Sequence, residues 1–147
     1  MSGKLVPESK IETILTDDHE HGVLHWHITK PMVFDNHGYM YVPFGSPSDA
    51  CQDINLGPVG IPGGSGLDPC PELEKHGGVW RFDANIQGQT QEDGFKYASG
   101  LRSIVGMRWH EENQKLYAVV HGIDNFHTMF SELYSPWQGP CCPRRSL

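Results

Sequence analysis

The sequence predicts an all-β fold, in the form of part of a β-propeller, because two similar strand-turn-strand segments occur and no amphipathic helical pattern does. In the first segment, apolar residues at 31–35 and 39–45 flank a short turn, Asn36-His37-Gly38, whose glycine allows a positive φ. Residues 105–110 and 115–122 repeat this order. Units of this kind stack because none can bury its apolar face alone, as in the blades of a propeller.

The distance between the two segments predicts a long insertion. Tyr41 and Tyr117 hold matching positions 76 residues apart, which exceeds the roughly 40 to 50 residues of one blade. Residues 46–76 are rich in glycine and proline, and long loops in compact domains are commonly functional. We therefore expect a partial propeller of about two to three blades, with this Gly/Pro-rich loop inserted.

Three further strands and one domain boundary follow from local patterns. Residues 10–16 mix β-branched and polar residues and predict a strand, as do residues 78–83 and 95–99. We assign residues 1–139 to the partial propeller. The last eight residues, 140–147, have no strand pattern and form an atypical tail, which indicates a truncation or a change of reading frame.

Charge and hydropathy argue against two classes of partner. The chain of 147 residues has 11 Lys and Arg against 18 Asp and Glu, a net charge of −7, so it lacks the basic surface that binds nucleic acid. No stretch approaches the roughly 18 consecutive apolar residues of a membrane span, and the first ten residues contain no apolar core of a signal peptide.

The cysteines leave two interpretations open. Cys51 and Cys70 bracket the Gly/Pro-rich loop, whereas Cys141 and Cys142 are adjacent in the tail, and no Cys-x-x-Cys spacing suggests zinc. Cys51 and Cys70 either form a disulfide, which would require an oxidising compartment, or remain two unpaired small residues.

Two histidines are candidates for chemistry. His25 and His27 are two residues apart, so in an extended segment their side chains would lie on the same side and could bind a metal. They could instead be structural residues, exposed or partly packed at a strand entry. The third interpretation is that a single histidine acts as a base, because an imidazole exchanges protons near neutral pH.

Arg102 is the candidate for binding an anion. It precedes an apolar stretch that predicts a buried strand, and a buried guanidinium needs an anionic partner. That partner is either a carboxylate or phosphate of a ligand, or an aspartate of a loop in the same chain.

Several stretches together resemble a known family. They are His27 with residues 31–35, residues 39–46, residues 78–82, and residues 100–107 with the following hairpin that ends at 121–124. The most specific part is Gly-x-Arg-Ser-x-x-Gly at residues 100–106. Over roughly residues 11–137 the chain resembles the pyrroloquinoline quinone (PQQ)-dependent glucose/sorbosone dehydrogenase family.

The resemblance implies a six-bladed propeller with PQQ, calcium and sugar at one end of its axis. It implies that His27 is the general base, that Arg102 contacts the cofactor, and that the main-chain carbonyls of Gly122 and Ile123 bind calcium. It further implies a small sugar or aldehyde substrate, an electron acceptor, and a periplasmic or extracellular location. The chain would then be a fragment of an enzyme that oxidises a sugar or a sugar-derived aldehyde or alcohol, active as the complete protein and inactive as 147 residues.

Two positions depart from the family pattern. Ser46 stands where well-studied members have an aspartate beside the base, and Ser103 follows Arg102 where they have asparagine. Two alternatives therefore stay open: a non-catalytic propeller that binds protein or glycan, and a metal hydrolase that uses His25 and His27.

Overall fold

The computed structural model describes residues 10–17, 27–52 and 66–123, and these fold into antiparallel sheets without an α-helix. The all-β prediction is therefore confirmed for this part of the chain. Two short 3-10 helices lie in the loops. The described strands are β1 (Val33–Phe34), β2 (Tyr39–Phe44), β3 (Gly78–Asp83), β4 (Phe95–Ser99), β5 (Ser103–His110) and β6 (Lys115–His121), and the 3-10 helices are Pro71–Glu74 and Gln91–Asp93.

The strands form two sheets. Strands β1, β2, β3 and β4 are neighbours in that order in a four-stranded antiparallel sheet, and β5 pairs with β6 in a separate hairpin. No propeller ring is formed by the described strands. The Gly/Pro-rich loop therefore joins two adjacent strands of one sheet, β2 and β3.

The central strands β2 and β3 of the four-stranded sheet are buried on both faces because most of their side chains are apolar. On one face, Met40, Phe44 and Phe82 belong to a core against which Leu15 of the N-terminal segment packs. On the other face, Tyr41 belongs to a second core that includes residues of β5 and β6. The ring of Tyr41 stacks on Trp109 of β5, with centroids 5.5 Å apart.

The two hairpins have matching registers. Phe34 pairs with Met40 in the first hairpin, and Trp109 pairs with Leu116 in the second. In the first turn Gly38 has φ +89°, the conformation expected of a glycine at this place.

The predicted strand at residues 10–16 is wrong. Within this segment only Leu15 forms a β-bridge, in parallel orientation to Gln89. Its backbone bonds go to a loop, since Gly88 N donates to Thr13 O and Gln89 N to Ile14 O, both at 2.9 Å. Ile14 and Leu15 pack on the core, whereas Ile11 is exposed, and the segment forms no ladder with the described strands.

The Gly/Pro-rich loop is joined across its ends by a disulfide. Cys51 and Cys70 are bonded, with their Cα atoms 6.1 Å apart, which decides between the two interpretations of these cysteines. Gln52 also forms a bridge to Gly66, and Leu67 N donates to Cys51 O at 2.9 Å. The described ends of the loop are therefore held together beside the sheet.

Several sequence-based assignments fall outside the described residues. These are His25 of the histidine pair, the tail at 140–147 with its two cysteines, and the remainder of the first domain beyond residue 123. Within the described segments, no helix is long and apolar enough to cross a membrane.

Candidate functional site

The candidate site is a cavity of about 360 Å³ where the disulfide-linked loop meets the ends of β5 and β6. The chain enters this region at Ser46, just after β2, and again at Arg102, just before β5. Gly122 and Ile123, which follow β6, complete the wall. Arg102, Gly122 and Ile123, which were predicted as site residues, therefore line one cavity.

His27 adjoins this cavity through a hydrogen bond to the backbone. Its Nδ1 lies 2.6 Å from the carbonyl oxygen of Ser46. A carbonyl oxygen can only accept, so Nδ1 carries the proton and donates. In the neutral imidazole the lone pair is then on Nε2, which is the protonation state that a general base requires.

Ser46 connects the two predicted functional residues through its backbone. Its carbonyl accepts the bond from His27, and its N–H donates to Arg102 O at 2.8 Å. The Ser46 hydroxyl donates to Ser48 O at 2.6 Å, which fixes the turn into the loop. Ser46 thus orients His27 through its backbone carbonyl.

Arg102 is bound to an aspartate of the same chain. Its Nη2 forms an ion pair with the Asp49 carboxylate, and its Nε donates to Asp49 O at 2.9 Å. The two side chains are 9% and 1% exposed, so the pair is buried. Of the two alternatives for Arg102, this arrangement corresponds to the ion pair with a loop aspartate, and a ligand would have to displace Asp49.

The described surroundings of Gly122 do not fit calcium in this arrangement. Calcium takes six to eight oxygen ligands. The Gly122 carbonyl instead accepts from Arg102 Nη1 at 2.6 Å, which places a positive charge at the position that the metal would occupy. The nearby Asp49 carboxylate is paired with the same guanidinium.

The charges that line this cavity also do not fit a trianionic quinone. Among the described residues of the wall, Arg102 carries a fixed positive charge and is opposed by Asp49 and Glu72. PQQ needs cationic partners for its carboxylates, and one neutralised guanidinium does not provide them. These residues alone therefore do not form a cofactor site.

One further acidic residue lies beside the disulfide. A carboxylate oxygen of Glu72 is within 4.8 Å of the sulfur atoms of Cys51 and Cys70. Its Oε2 is buried and has no hydrogen-bond partner among the described residues. Because both sulfurs are joined in the disulfide, no thiolate is present, and this group is not a metal site.

Sequence reasoning missed two parts of the structure. Asp49, the partner of Arg102, lies 53 residues away in a loop without a motif, and only the general need of a buried arginine for an anion pointed to it. The other is a second cavity of about 460 Å³ beside Arg81, for which the local strand pattern gave no signal.

Comparison with known proteins assigns no family to the chain. No family model, curated protein or solved structure matches it. The geometry of the site is therefore the basis for a functional proposal.

Proposed function

We propose that the chain belongs to a PQQ-dependent oxidoreductase that oxidises a sugar or a sugar-derived alcohol or aldehyde, with His27 as the general base. The hydrogen bond from His27 Nδ1 to Ser46 O carries the proposal, because it leaves the lone pair of the neutral ring on Nε2. The pattern of residues that resembles the dehydrogenase family has this histidine as its base.

Oxidation of a carbinol requires a base that takes a proton and an acceptor that takes a hydride. The hydroxyl loses a proton and the carbon loses a hydride. We assign the proton to His27 Nε2, since Nδ1 is committed to Ser46 O. In the family that the chain resembles, PQQ supplies the two-electron acceptor for the hydride. Arg102 would contact such a cofactor only after release from Asp49, because most of its N–H groups bind Asp49 and Gly122.

The proposal includes the partial propeller with about two to three of six blades. A four-stranded antiparallel sheet is the size of one blade, and the described sheet has four strands. The β5–β6 hairpin packs on it through Tyr41 and Trp109, as the start of a neighbouring blade would. The exposed apolar residues of β5 and β6, such as Val105 and Val119, are what an interface with further strands requires.

A periplasmic or extracellular location also belongs to the proposal. The Cys51–Cys70 disulfide supports it, because structural disulfides persist in oxidising compartments and are rare in the cytosol.

The second candidate function is a propeller that binds protein or glycan without catalysis. One observation favours it: the guanidinium of Arg102 is already paired with the Asp49 carboxylate and hydrogen-bonded to Gly122 O. In a binding module the same contacts would simply hold the loop to β6. The two candidates differ in whether the gene product that contains this chain reduces an electron acceptor.

The experiment adds PQQ and calcium to the purified chain and to the complete gene product that contains it. We expect the complete product to reduce a redox dye with an aldose or its aldehyde, and H27Q to lower the rate by about 10²- to 10⁴-fold. The control is H37Q, because His37 is an exposed histidine in the β1–β2 turn. Absence of both a change in PQQ absorbance and dye reduction would favour the binding module, and full activity of H27Q would remove only the role of His27.

A further inference from the structure

A second cavity lies at the opposite end of the four-stranded sheet from His27. It has a volume of about 460 Å³, and its wall includes Tyr39, Arg81 and Phe95. Tyr39 begins β2, whereas Ser46, which contacts His27, follows its end. At about 3.3 Å per residue, the two regions are separated by roughly 20 Å along the strand. What binds in one cavity does not contact the other.

Arg81 contacts two aromatic rings in this cavity. Its guanidinium carbon lies 4.4 Å from the centroid of Tyr39 and 5.1 Å from that of Phe95. Cross-strand register explains the contact with Phe95, because Arg81 and Phe95 are direct partners of β3 and β4. Contact with two rings restrains the guanidinium and does not use its N–H groups as hydrogen-bond donors.

The guanidinium of Arg81 forms neither a hydrogen bond nor an ion pair with the described residues. Ion pairs among the described residues join Lys30 to Asp17, Lys75 to Glu92 and Arg102 to Asp49, for example, and Arg81 is in none of these pairs. Arg81 is half-buried, so its donors are partly removed from water without a partner in the protein. Donors that are oriented and unpaired in this way are suited to a ligand that offers oxygen acceptors.

Two carboxylates in the same wall narrow the class of ligand. Asp83 Oδ1 accepts from the N–H and side-chain amide of Asn85, and Asp93 Oδ2 accepts from Thr90 N and its hydroxyl. The bonds from Thr90 lower the pKa of Asp93, so its carboxylate stays ionised. Each carboxylate has a second oxygen outside these bonds. With one guanidinium against two carboxylates, the wall repels anions and offers both donors and acceptors.

We propose that this cavity is a binding site for a neutral sugar, independent of the site at His27. Hydroxyl groups both donate and accept, so a vicinal pair can accept from Arg81 and donate to Asp83 or Asp93. Exposed apolar surface is also present, since Phe95 is 60% exposed, and ligand sites combine such surface with a few oriented polar groups. A simple carboxylate would satisfy Arg81 but would face two like charges.

The test titrates the purified protein with D-glucose, D-galactose and cellobiose by saturation-transfer NMR and calorimetry. Gluconate and acetate serve as anionic comparisons. We expect at least one neutral sugar to bind, R81M to weaken its binding by about tenfold or more, and R81K to weaken it less. D83N should weaken binding as well, because it removes an ionised acceptor. R108M should bind like the wild type, since Arg108 is exposed on β5 and does not line this cavity.

Circular dichroism and the thermal midpoint establish that each variant is folded. If R81M fails to fold, R81K and D83N decide, because both keep the size of the side chain. The proposal is wrong if no neutral sugar binds, if R81M, R81K and D83N all retain wild-type affinity, or if gluconate or acetate binds Arg81 more tightly than the neutral sugars. The last result would make the cavity an anion site.

Discussion

Arg102 and Asp49 form a buried ion pair that fastens the disulfide-linked loop to the end of β6. The guanidinium bonds to the carboxylate and to the carbonyl of Asp49, and it also reaches Gly122 O at 2.6 Å. One side chain therefore joins three segments that are distant in sequence. The same guanidinium cannot hold an anionic ligand while these bonds remain.

The first prediction concerns the removal of this pair. In R102M the Asp49 carboxylate, whose side chain is 1% exposed, loses its counter-ion, and we expect a loss of about 3–5 kcal/mol in the free energy of unfolding. The double variant R102M/D49L should recover much of this loss, because no unpaired charge stays buried. Urea unfolding measures both.

The matched control for R102M is K75M. Lys75 and Glu92 form an ion pair at 2.9 Å with side chains 57% and 74% exposed. Its removal should cost less than about 1 kcal/mol, since water screens the pair. If R102M costs no more than K75M, the pair with Asp49 does not stabilise the loop.

The second prediction concerns the disulfide. Cys51 and Cys70 are 19 residues apart, and a cross-link that closes a loop of this size stabilises by about 3 kcal/mol. The variant C51A/C70A should lose this amount in urea unfolding, and a reducing agent should lower the stability of the wild type but not of the variant. Mapping of peptides without reduction gives the pairing directly. A wild-type protein insensitive to reduction would contradict the prediction.

Local patterns were sufficient to predict the hairpins. Alternating apolar residues on both sides of a turn specify β1 and β2, and Gly38 adopts the positive φ that such a turn needs. The same pattern at residues 105–110 and 115–122 gives β5 and β6. In each hairpin the two paired strands are close in sequence, so a short stretch of sequence contains all the residues that determine the pairing.

Patterns of this kind failed where the partner is distant. Ile14 and Leu15 are residue types that favour a strand. Their backbone, however, bonds to the loop residue Gln89 and not to one of the described strands. Arg102 required an anion, but its sequence context did not distinguish Asp49 from a ligand. Tertiary contacts decide both cases, and local propensity is only a weak guide to them.

The third prediction tests the position of His27. At Gly45 an added Cβ would lie 2.3 Å from His27 O and 2.5 Å from His27 Cβ. These atoms cannot move away by side-chain rotation, so G45A should shift the segment that carries the candidate base and cost about 1–3 kcal/mol. The ¹⁵N shifts of the His27 ring should change as the bond to Ser46 O is lost.

The control for G45A is G106A in β5. A Cβ at Gly106 meets no atom within 4 Å, so this variant should keep the wild-type stability within about 1 kcal/mol and leave the His27 ring signals in place. Equal effects of G45A and G106A would mean that close packing of Gly45 does not position His27.

The last prediction concerns alkaline stability and rests on Tyr41. Burial raises the pKa of its hydroxyl to about 12, and the hydrogen bond to Asp35 Oδ2 at 3.0 Å adds to this effect. An unfolded tyrosine ionises near pH 10, so between about pH 10 and 12 the unfolded state releases this proton while the folded state keeps it. The stabilisation is complete below pH 10 and lost as the pH rises to 12. Over this interval the free energy of unfolding of the wild type should therefore fall by about 2 kcal/mol more than that of Y41F.

Urea unfolding at fixed pH values, with absorbance at 295 nm to follow phenolate formation, measures the difference between wild type and Y41F. D35N provides the second comparison, because it removes the negative charge beside the Tyr41 hydroxyl, so the excess loss should become smaller. Parallel curves for the wild type and Y41F from pH 9 to 12 would show that Tyr41 ionises alike in both states. In that event the burial of Tyr41 and its hydrogen bond to Asp35 would not contribute to the loss of stability at high pH.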